Sequence, residues 1–156
     1  MLARLGPAQP VGGADVIARA LGALALMALA VIHVVDLPDT LGPTPLVGIG
    51  YLGIIAAGLG VSAALITRSH WLVWAAAGAV AAMAMGGYLL TRALPGGFLD
   101  DHGDVGNWRC SLGISALSVE TLIILLVPLA IWLGRGLTAG PAGQARPAVR
   151  RAPEYH

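Results

Sequence analysis

The sequence predicts an all-α integral membrane protein, a four-helix bundle with up-down topology and both termini in the cytoplasm. The first observation is composition: of 156 residues, 57% are hydrophobic and 11% are charged, and the mean hydropathy is +0.81. A soluble domain of this length cannot bury so large an apolar fraction. The second observation is four long runs with almost no charge, and the third is an uneven distribution of the arginines along the chain.

Each of the four runs is long enough to cross a bilayer, which takes about 20 residues at a rise of about 1.5 Å per residue. We predict spans at about residues 16–35, 45–66, 71–91 and 111–133. The first span includes Arg19, whose side chain can extend to the lipid headgroups. The transmembrane domain thus covers 16–134, after a cytoplasmic segment at 1–15 and before a disordered cytoplasmic tail at 135–156.

The first span has an alternative interpretation as a signal peptide that is removed. Arg4 and Arg19 precede its apolar core, and residues 28–30 have the small-x-small pattern of a cleavage site. The segment before the apolar run is unusually long for a signal peptide. We therefore expect the first helix to be retained.

The connections between the runs indicate which helices are neighbours. Pro38, Pro43 and Pro45 are expected to keep the first connection non-helical, and Pro45 suits the first turn of the second span. The short connection TRSH makes the second and third spans antiparallel neighbours, and small residues on both predict a tightly packed hairpin. These small residues are Gly50, Gly53, Ala57, Gly60 and Ala64 in the second span and Ala75, Gly78, Ala79, Ala82 and Gly86 in the third.

The arginines set the predicted orientation, because cytoplasmic loops carry an excess of basic residues. With both termini on one side, that side holds Arg4, Arg19, Arg68, Arg135, Arg146, Arg150 and Arg151, whereas the other holds Arg92 and Arg109. The first side is therefore expected to be cytoplasmic. All basic residues are arginine, and Ala, Gly, Val and Pro are abundant, which indicates a GC-rich bacterial genome. We predict a multi-pass protein of the bacterial cytoplasmic (inner) membrane.

The polar residues of the outer half are the candidate functional groups. The connection LPGGFLDDHGDVGNW, at 94–108, concentrates four of them: Asp100, Asp101, His102 and Asp104. His33 and Asp36 lie three residues apart near the outer end of the first span, and this spacing places them on one helix face. Because both external connections of an up-down bundle lie over the same mouth, we expect these groups to converge there.

Glu120 lies within the fourth span, where an ionised carboxylate costs several kcal/mol. We expect it to be protonated, paired or beside a water-filled cavity. The candidate intramembrane partners are His33, Tyr51, Tyr88 and Arg92. A functional Glu120 binds a metal ion or a proton, and the alternative is a neutral carboxyl that joins helices by hydrogen bonds.

A divalent metal ion is the one cofactor that these side chains suggest, since carboxylate oxygens and imidazole nitrogens are common ligands. The hypothetical ligands are His33, Asp36, Asp101, His102, Asp104 and Glu120. The D-x-H-x-D spacing can present several ligands to one ion, but it lacks the closing Glu of a Ca²⁺-binding loop. The alternative is a solvated polar loop without a ligand.

Two segments carry a resemblance to a group of known proteins. They are HVVDLPDT at 33–40 and GYLLTRALPGGFLDDHGDVGNW at 87–108, the latter followed by a span that contains Glu120. Together they resemble small four-span membrane proteins common in actinobacteria, over residues 21–133. The resemblance implies the same four-span topology and defines no named activity.

Two functions of different classes fit these observations. The favoured one is an accessory or binding subunit with an acidic, His-containing, outward-facing mouth. Its partners are then the lipid bilayer and either further copies of this chain or a larger membrane complex. The alternative is an outward-facing metal- or proton-binding site used in transport or membrane-embedded catalysis, so the question of enzyme activity stays open. The sequence indicates no nucleophile site, no phosphate-binding loop and no nucleic-acid surface.

Overall fold

The computed structural model describes residues 12–68 and 70–138, with side chains as far as Leu133, and this part of the chain is all-helical. Its helices are α1 (Gly13–Leu41), α2 (Pro45–Thr67), α3 (Trp71–Ala93) and α4 (Ser111–Thr138). Each helix is long and apolar enough to cross a membrane, which confirms the prediction of four helices of this length and composition. Residues 1–11 and 139–156, with most of the predicted N-terminal segment and tail, lie outside the described residues.

The helix ends follow from the local sequence, except that α1 continues further than expected. α2 begins at Pro45, which suits a first helical position because its missing N–H has no partner there. α1 continues through Pro38 to Leu41, so the expectation that Pro38 keeps this connection non-helical was wrong. Proline removes one backbone hydrogen bond, and the Thr40 hydroxyl supports the same turn by donating to the Asp36 carbonyl oxygen at 3.0 Å.

The helices form a ring in which each contacts the next and α4 contacts α1. The contact between α1 and α2 is the most extensive. A Cβ at Gly58 of α2 would lie 3.4 Å from the Leu26 carbonyl oxygen of α1. Beside it, the Ser62 hydroxyl donates a hydrogen bond to the Ala23 carbonyl oxygen at 3.0 Å. Small side chains on this face of α2 thus let the two backbones approach closely.

The predicted tight hairpin of α2 and α3 was wrong, because their contact is the smallest among the four neighbouring pairs. Gly78 of α3 packs against Val127 of α4 rather than against α2. At several other glycines of the two helices an added Cβ would meet open space, namely Gly50, Gly53, Gly60 and Gly86. The face of α2 with Gly58 and Ser62 makes the more extensive contact of this helix, and its neighbour there is α1.

The half of the bundle around the α2–α3 connection is filled with apolar side chains, and we call it the packed half. Leu65 and Ala77 are completely buried, and Trp74 is 2% exposed. A Cβ at Gly22 would come within 2.8 Å of the Trp74 ring and 3.1 Å of Leu65. Glycine at position 22 therefore makes room for the indole of α3 between α1 and α2.

Arg19 joins α1 to the end of α2 at the edge of the packed half. Its Nε donates to the Leu65 carbonyl oxygen at 2.6 Å, and the guanidinium also bonds the Ile66 carbonyl. The Asp15 carboxylate lies 3.6 Å from Arg19 Nη1. A cation beside the last carbonyls of a helix interacts favourably with the helix dipole. Arg19 therefore caps α2. The sequence analysis expected only that its side chain extends to the lipid headgroups.

Candidate functional site

The other half of the bundle, which we call the cavity half, contains a cavity of about 220 Å³. The cavity lies where α1 and α3 end and α2 and α4 begin, beside the α3–α4 connection. Its volume is slightly below the range of roughly 300–1,000 Å³ that is typical of small-molecule sites. Polar residues from all four helices line it, namely His33, Asp36, Tyr51, Tyr88, Thr91, Arg92 and Glu120. The rest of the wall is mostly apolar.

His33, Asp36 and Tyr51 form one cluster on the α1–α2 side of the cavity. The Tyr51 hydroxyl donates to Asp36 Oδ2 at 3.0 Å, and the Tyr51 and His33 rings pack edge to face with centroids 4.7 Å apart. His33 Nδ1 lies 2.9 Å from the Leu29 carbonyl oxygen. Because a carbonyl can only accept, Nδ1 carries a proton, and the lone pair of the neutral form of the ring is then on Nε2.

Glu120 lines the cavity from α4 and is 1% exposed. Among the described residues, no group forms a hydrogen bond with its Oε2 atom. The predicted partners His33, Tyr51, Tyr88 and Arg92 line the same cavity, but none of them bonds to Glu120. A buried oxygen without a partner loses its hydration without replacement. The interpretation of Glu120 as a hydrogen-bonded link between helices therefore has no support in this structure.

Arg92 is buried at the end of α3 and fixes the α3–α4 connection. Its Nη2 lies 3.2 Å from Asp104 Oδ2, and its Nε donates to the Asn107 carbonyl oxygen at 3.0 Å. The guanidinium carbon lies 3.8 Å from the centroid of the Tyr88 ring, which is a cation–π contact. Arg92 therefore pairs with Asp104 and not with Glu120.

The acidic residues of the connection shape the loop itself. Asp101 is buried, and its Oδ1 accepts a hydrogen bond from the Asp104 N–H at 3.2 Å. Burial, together with the nearby charge of Asp104, raises the pKa of the Asp101 carboxyl. Leu99 and Asp100 have φ angles of 53° and 66°, which are typical of the central positions of a type I′ turn. The turn places Phe98 and Leu99 against the cavity.

The structure divides the six hypothetical metal ligands among three places. Three of them line the cavity, namely His33, Asp36 and Glu120. Asp101 and Asp104 belong to the hydrogen-bond network of the loop, and His102 is exposed. Over the residues described, no group of three or more His, Cys, Asp or Glu side chains is placed to hold a metal ion. The structure therefore gives no support to the hypothesis of a divalent metal ion.

The apolar wall is the part of the site that the sequence analysis missed. Gly87 and Ala116 line the cavity next to Tyr88 and Glu120, and an added Cβ at Gly87 would meet open space. Small residues on α3 and α4 near the depth of the buried acid were a signal of unfilled volume. The sequence analysis singled out neither Gly87 nor Ala116. Phe98 was not recognised because it lies in the connection, where the charged residues were the more unusual feature.

A comparison of the chain with protein-family models, curated proteins and solved structures gives no match. The resemblance to four-span proteins of actinobacteria therefore stays a prediction. The functional argument rests on the cavity and on the groups that face it.

Proposed function

We propose that this chain is a small multi-pass membrane protein that acts as a binding subunit, with the cavity as its site. The observation that carries the proposal is an interhelical cavity in which a mostly apolar wall surrounds one buried carboxyl, Glu120, whose Oε2 has no hydrogen-bond partner among the described residues. Mostly apolar pockets with a few convergent polar groups are typical of small-molecule sites. The ligand in this proposal is a small, largely apolar compound that carries a polar group.

In this proposal the helices run up and down across a bacterial cytoplasmic membrane, with both termini inside. Two contacts support the antiparallel pairing of α1 and α2. The start of α1, at Gly22, lies near Leu65 at the end of α2, and His33 near the end of α1 packs on Tyr51 near the start of α2. The excess of arginine on the side of the termini supports a cytoplasmic location for that side. The cavity then faces the outside.

Two adjacent glycines of α3 provide a matched test of the binding site. Gly87 lines the cavity and Gly86 does not, while an added Cβ at either position would meet open space. Gly87→Leu should therefore fill the cavity, and Gly86→Leu should place the same side chain outside it. The measurement is thermal unfolding of the purified full chain with a panel of small apolar compounds, since a bound compound raises the unfolding midpoint by mass action.

We expect at least one compound to raise the midpoint of the wild type and of Gly86→Leu without raising that of Gly87→Leu. The midpoints measured without compound show whether both variants fold. A compound that acts equally on all three proteins binds outside the cavity. The proposed function is contradicted if no compound of the panel raises the midpoints of the wild type and Gly86→Leu without raising that of Gly87→Leu.

A second candidate function is an accessory subunit that docks onto a larger membrane complex or onto further copies of this chain. The exposed face of α2 favours it, because Gly53 and Gly60 leave open space in which another helix can approach closely. Gly53→Leu should then dissociate a complex isolated in mild detergent, whereas the cavity variant Gly87→Leu should leave it intact. A single small species for the wild type, with the mass of one chain, would exclude this candidate.

A further inference from the structure

We propose that the cavity binds an organic ammonium group, that is, a protonated amine attached to a compact apolar body. This inference rests on the proposed function and names the ligand class of the same site. It begins from the charges that face the cavity, since the bound molecule must match them.

The carboxyl groups of the cavity have no cationic partner within the described residues. Glu120 Oε2 has no hydrogen-bond partner, and Asp36 accepts a hydrogen bond from the neutral Tyr51 hydroxyl. Among the described residues, Arg92 is the one arginine that lines the cavity, and it already pairs with Asp104 at 3.2 Å. A ligand with a positive charge therefore finds carboxyl groups without a cationic partner at this site, whereas a carboxylate or phosphate finds no free cationic side chain among the described residues.

A buried carboxylate is costly unless a cation and hydrogen bonds compensate it. An ammonium group supplies both, because it carries a positive charge and N–H donors that a buried carboxylate oxygen can accept. Glu120 is deep enough for such a pair to be shielded from water, since it lies nine residues after the start of α4 at Ser111, or roughly 14 Å along the helix axis. A shielded pair is less weakened by solvent than one at the surface.

The wall of the cavity suits the remainder of an amine. Its aromatic residues include Tyr51 and Phe98, and its aliphatic residues include Ile54 and Leu112. Aromatic faces attract cations and apolar groups alike. The His33 Nε2 lone pair adds an acceptor for an N–H donor, since the Nδ1 proton already bonds the Leu29 carbonyl. A bare metal ion is a poorer match, because it requires several ligands at one point.

The test uses three probes that share a phenyl ring and a short chain but differ in charge: 2-phenylethylamine, 2-phenylethanol and 3-phenylpropanoate. Their affinities are measured by calorimetry for the full chain in phosphatidylglycerol nanodiscs, which contain no ammonium lipid. The variants are Glu120→Gln, which keeps the shape of the side chain and removes its charge, and Asp36→Asn. Asp39→Asn is the control, because Asp39 is exposed and does not line the cavity.

We expect the wild type to bind the amine about tenfold more tightly than the alcohol and to bind the carboxylate least. Glu120→Gln should weaken amine binding roughly 10- to 100-fold, the loss of one charge-assisted hydrogen bond, and leave alcohol binding nearly unchanged. Retained alcohol binding shows that the variant is folded. Asp36→Asn should weaken amine binding by a smaller factor, and Asp39→Asn should not change it.

The outcomes separate this inference from the proposed function. Equal binding of amine and alcohol, unaffected by Glu120→Gln, overturns the ammonium assignment and leaves the binding cavity in place. Failure of the amine to bind at all also overturns it, whatever the compound panel with Gly87→Leu shows. Repeating the titration in nanodiscs with phosphatidylethanolamine identifies the source of the ammonium. Competition by this lipid indicates a headgroup as the natural ligand, and unchanged amine affinity indicates a free amine.

Discussion

The two halves of the bundle fill the space between their helices in different ways. In the packed half, Trp74 is 2% exposed and lies against Gly22 and Leu65, so that no room is left for another Cβ at position 22. In the cavity half, about 220 Å³ stays unfilled, and the surrounding side chains include Glu120, whose Oε2 has no hydrogen-bond partner in the part of the chain that the structure describes. The same four helices thus provide close packing at one end and, at the other, a mostly apolar cavity that contains a few polar groups.

In the proposed function, this difference places stability and binding in separate halves of the molecule. Helices in lipid are held together by close packing rather than by a hydrophobic drive, and a cavity forgoes these contacts. A binding site that stays open therefore depends on stability supplied elsewhere. Substitutions that lower stability most should lie in the packed half, and those that change binding most should lie in the cavity half.

The largest loss of stability is expected for Trp74→Ala. The indole fills the space between α1, α2 and α3, and its removal should cost about 3 kcal/mol, at the lower end of the range for buried aromatic truncations. The lower end applies because lipid contributes no hydrophobic drive between helices. Equilibrium unfolding in detergent measures the change. Trp71→Ala is the control, since Trp71 is 59% exposed and should change stability by less than about 1 kcal/mol.

Equal losses for the two tryptophan variants would contradict the assignment of stability to the packed half. The comparison becomes sharper if amine binding is measured for Trp74→Ala at a temperature at which the variant is folded. Because the indole does not line the cavity, affinity should then match that of the wild type.

A smaller effect is expected for Arg92→Gln, which removes the ion pair with Asp104. The free energy of unfolding should fall by about 1–2 kcal/mol, because charge-assisted hydrogen bonds are lost, while the Asp104 side chain, 31% exposed, can be solvated again. Hydrogen exchange should accelerate at the Gly106 N–H, which donates to the Arg92 carbonyl oxygen at 3.0 Å. Arg109→Gln, in an exposed position of the same connection, is the control.

Hydrogen exchange also shows whether this loss stays within the cavity half. Amides of the packed half, such as that of Ala77, should exchange at wild-type rates in Arg92→Gln. Acceleration throughout the bundle would mean that the loop anchor supports the whole fold, and the separation of the two halves would be wrong.

The membrane-spanning helices could be predicted from the sequence because length and apolar composition are local properties of each run. The start of α2 at Pro45 was predicted for the same reason. The continuation of α1 through Pro38 was not, since the tendency of proline to end helices is overridden there by the rest of the turn. Which face of α2 contacts a neighbour was also missed, because small residues occur on several faces and only the packed structure selects Gly58.

The candidate site could be predicted in part. Glu120, His33 and Asp36 were identified because polar groups in an apolar chain are conspicuous, and all three line the cavity. The pairing of Arg92 with Asp104 was not identified, because it depends on the fold of the α3–α4 connection. An unfilled volume is likewise a property of all four helices together, and no single segment reveals it.

The smallest effect is expected for Asp101→Asn, and it depends on pH. Burial, with the charge of Asp104, raises the pKa of this carboxyl above its ordinary value of 3.8. The folded state then binds the proton more tightly than the unfolded state does. Wild-type stability should therefore fall as the pH rises from below 3.8 through the raised pKa, because the unfolded chain releases the proton first.

An asparagine side chain cannot ionise, and its oxygen can still accept the hydrogen bond from the Asp104 N–H. The variant Asp101→Asn should therefore be more stable than the wild type at pH 7, and the difference should vanish below pH 3.8. Thermal unfolding across this pH range measures it, with Asp100→Asn as a control for the loss of one negative charge from the same turn. A variant less stable than the wild type at pH 7 would show that the loop needs the charge of Asp101. The acids of the connection would then hold the cavity half together through Arg92, rather than being tolerated beside it.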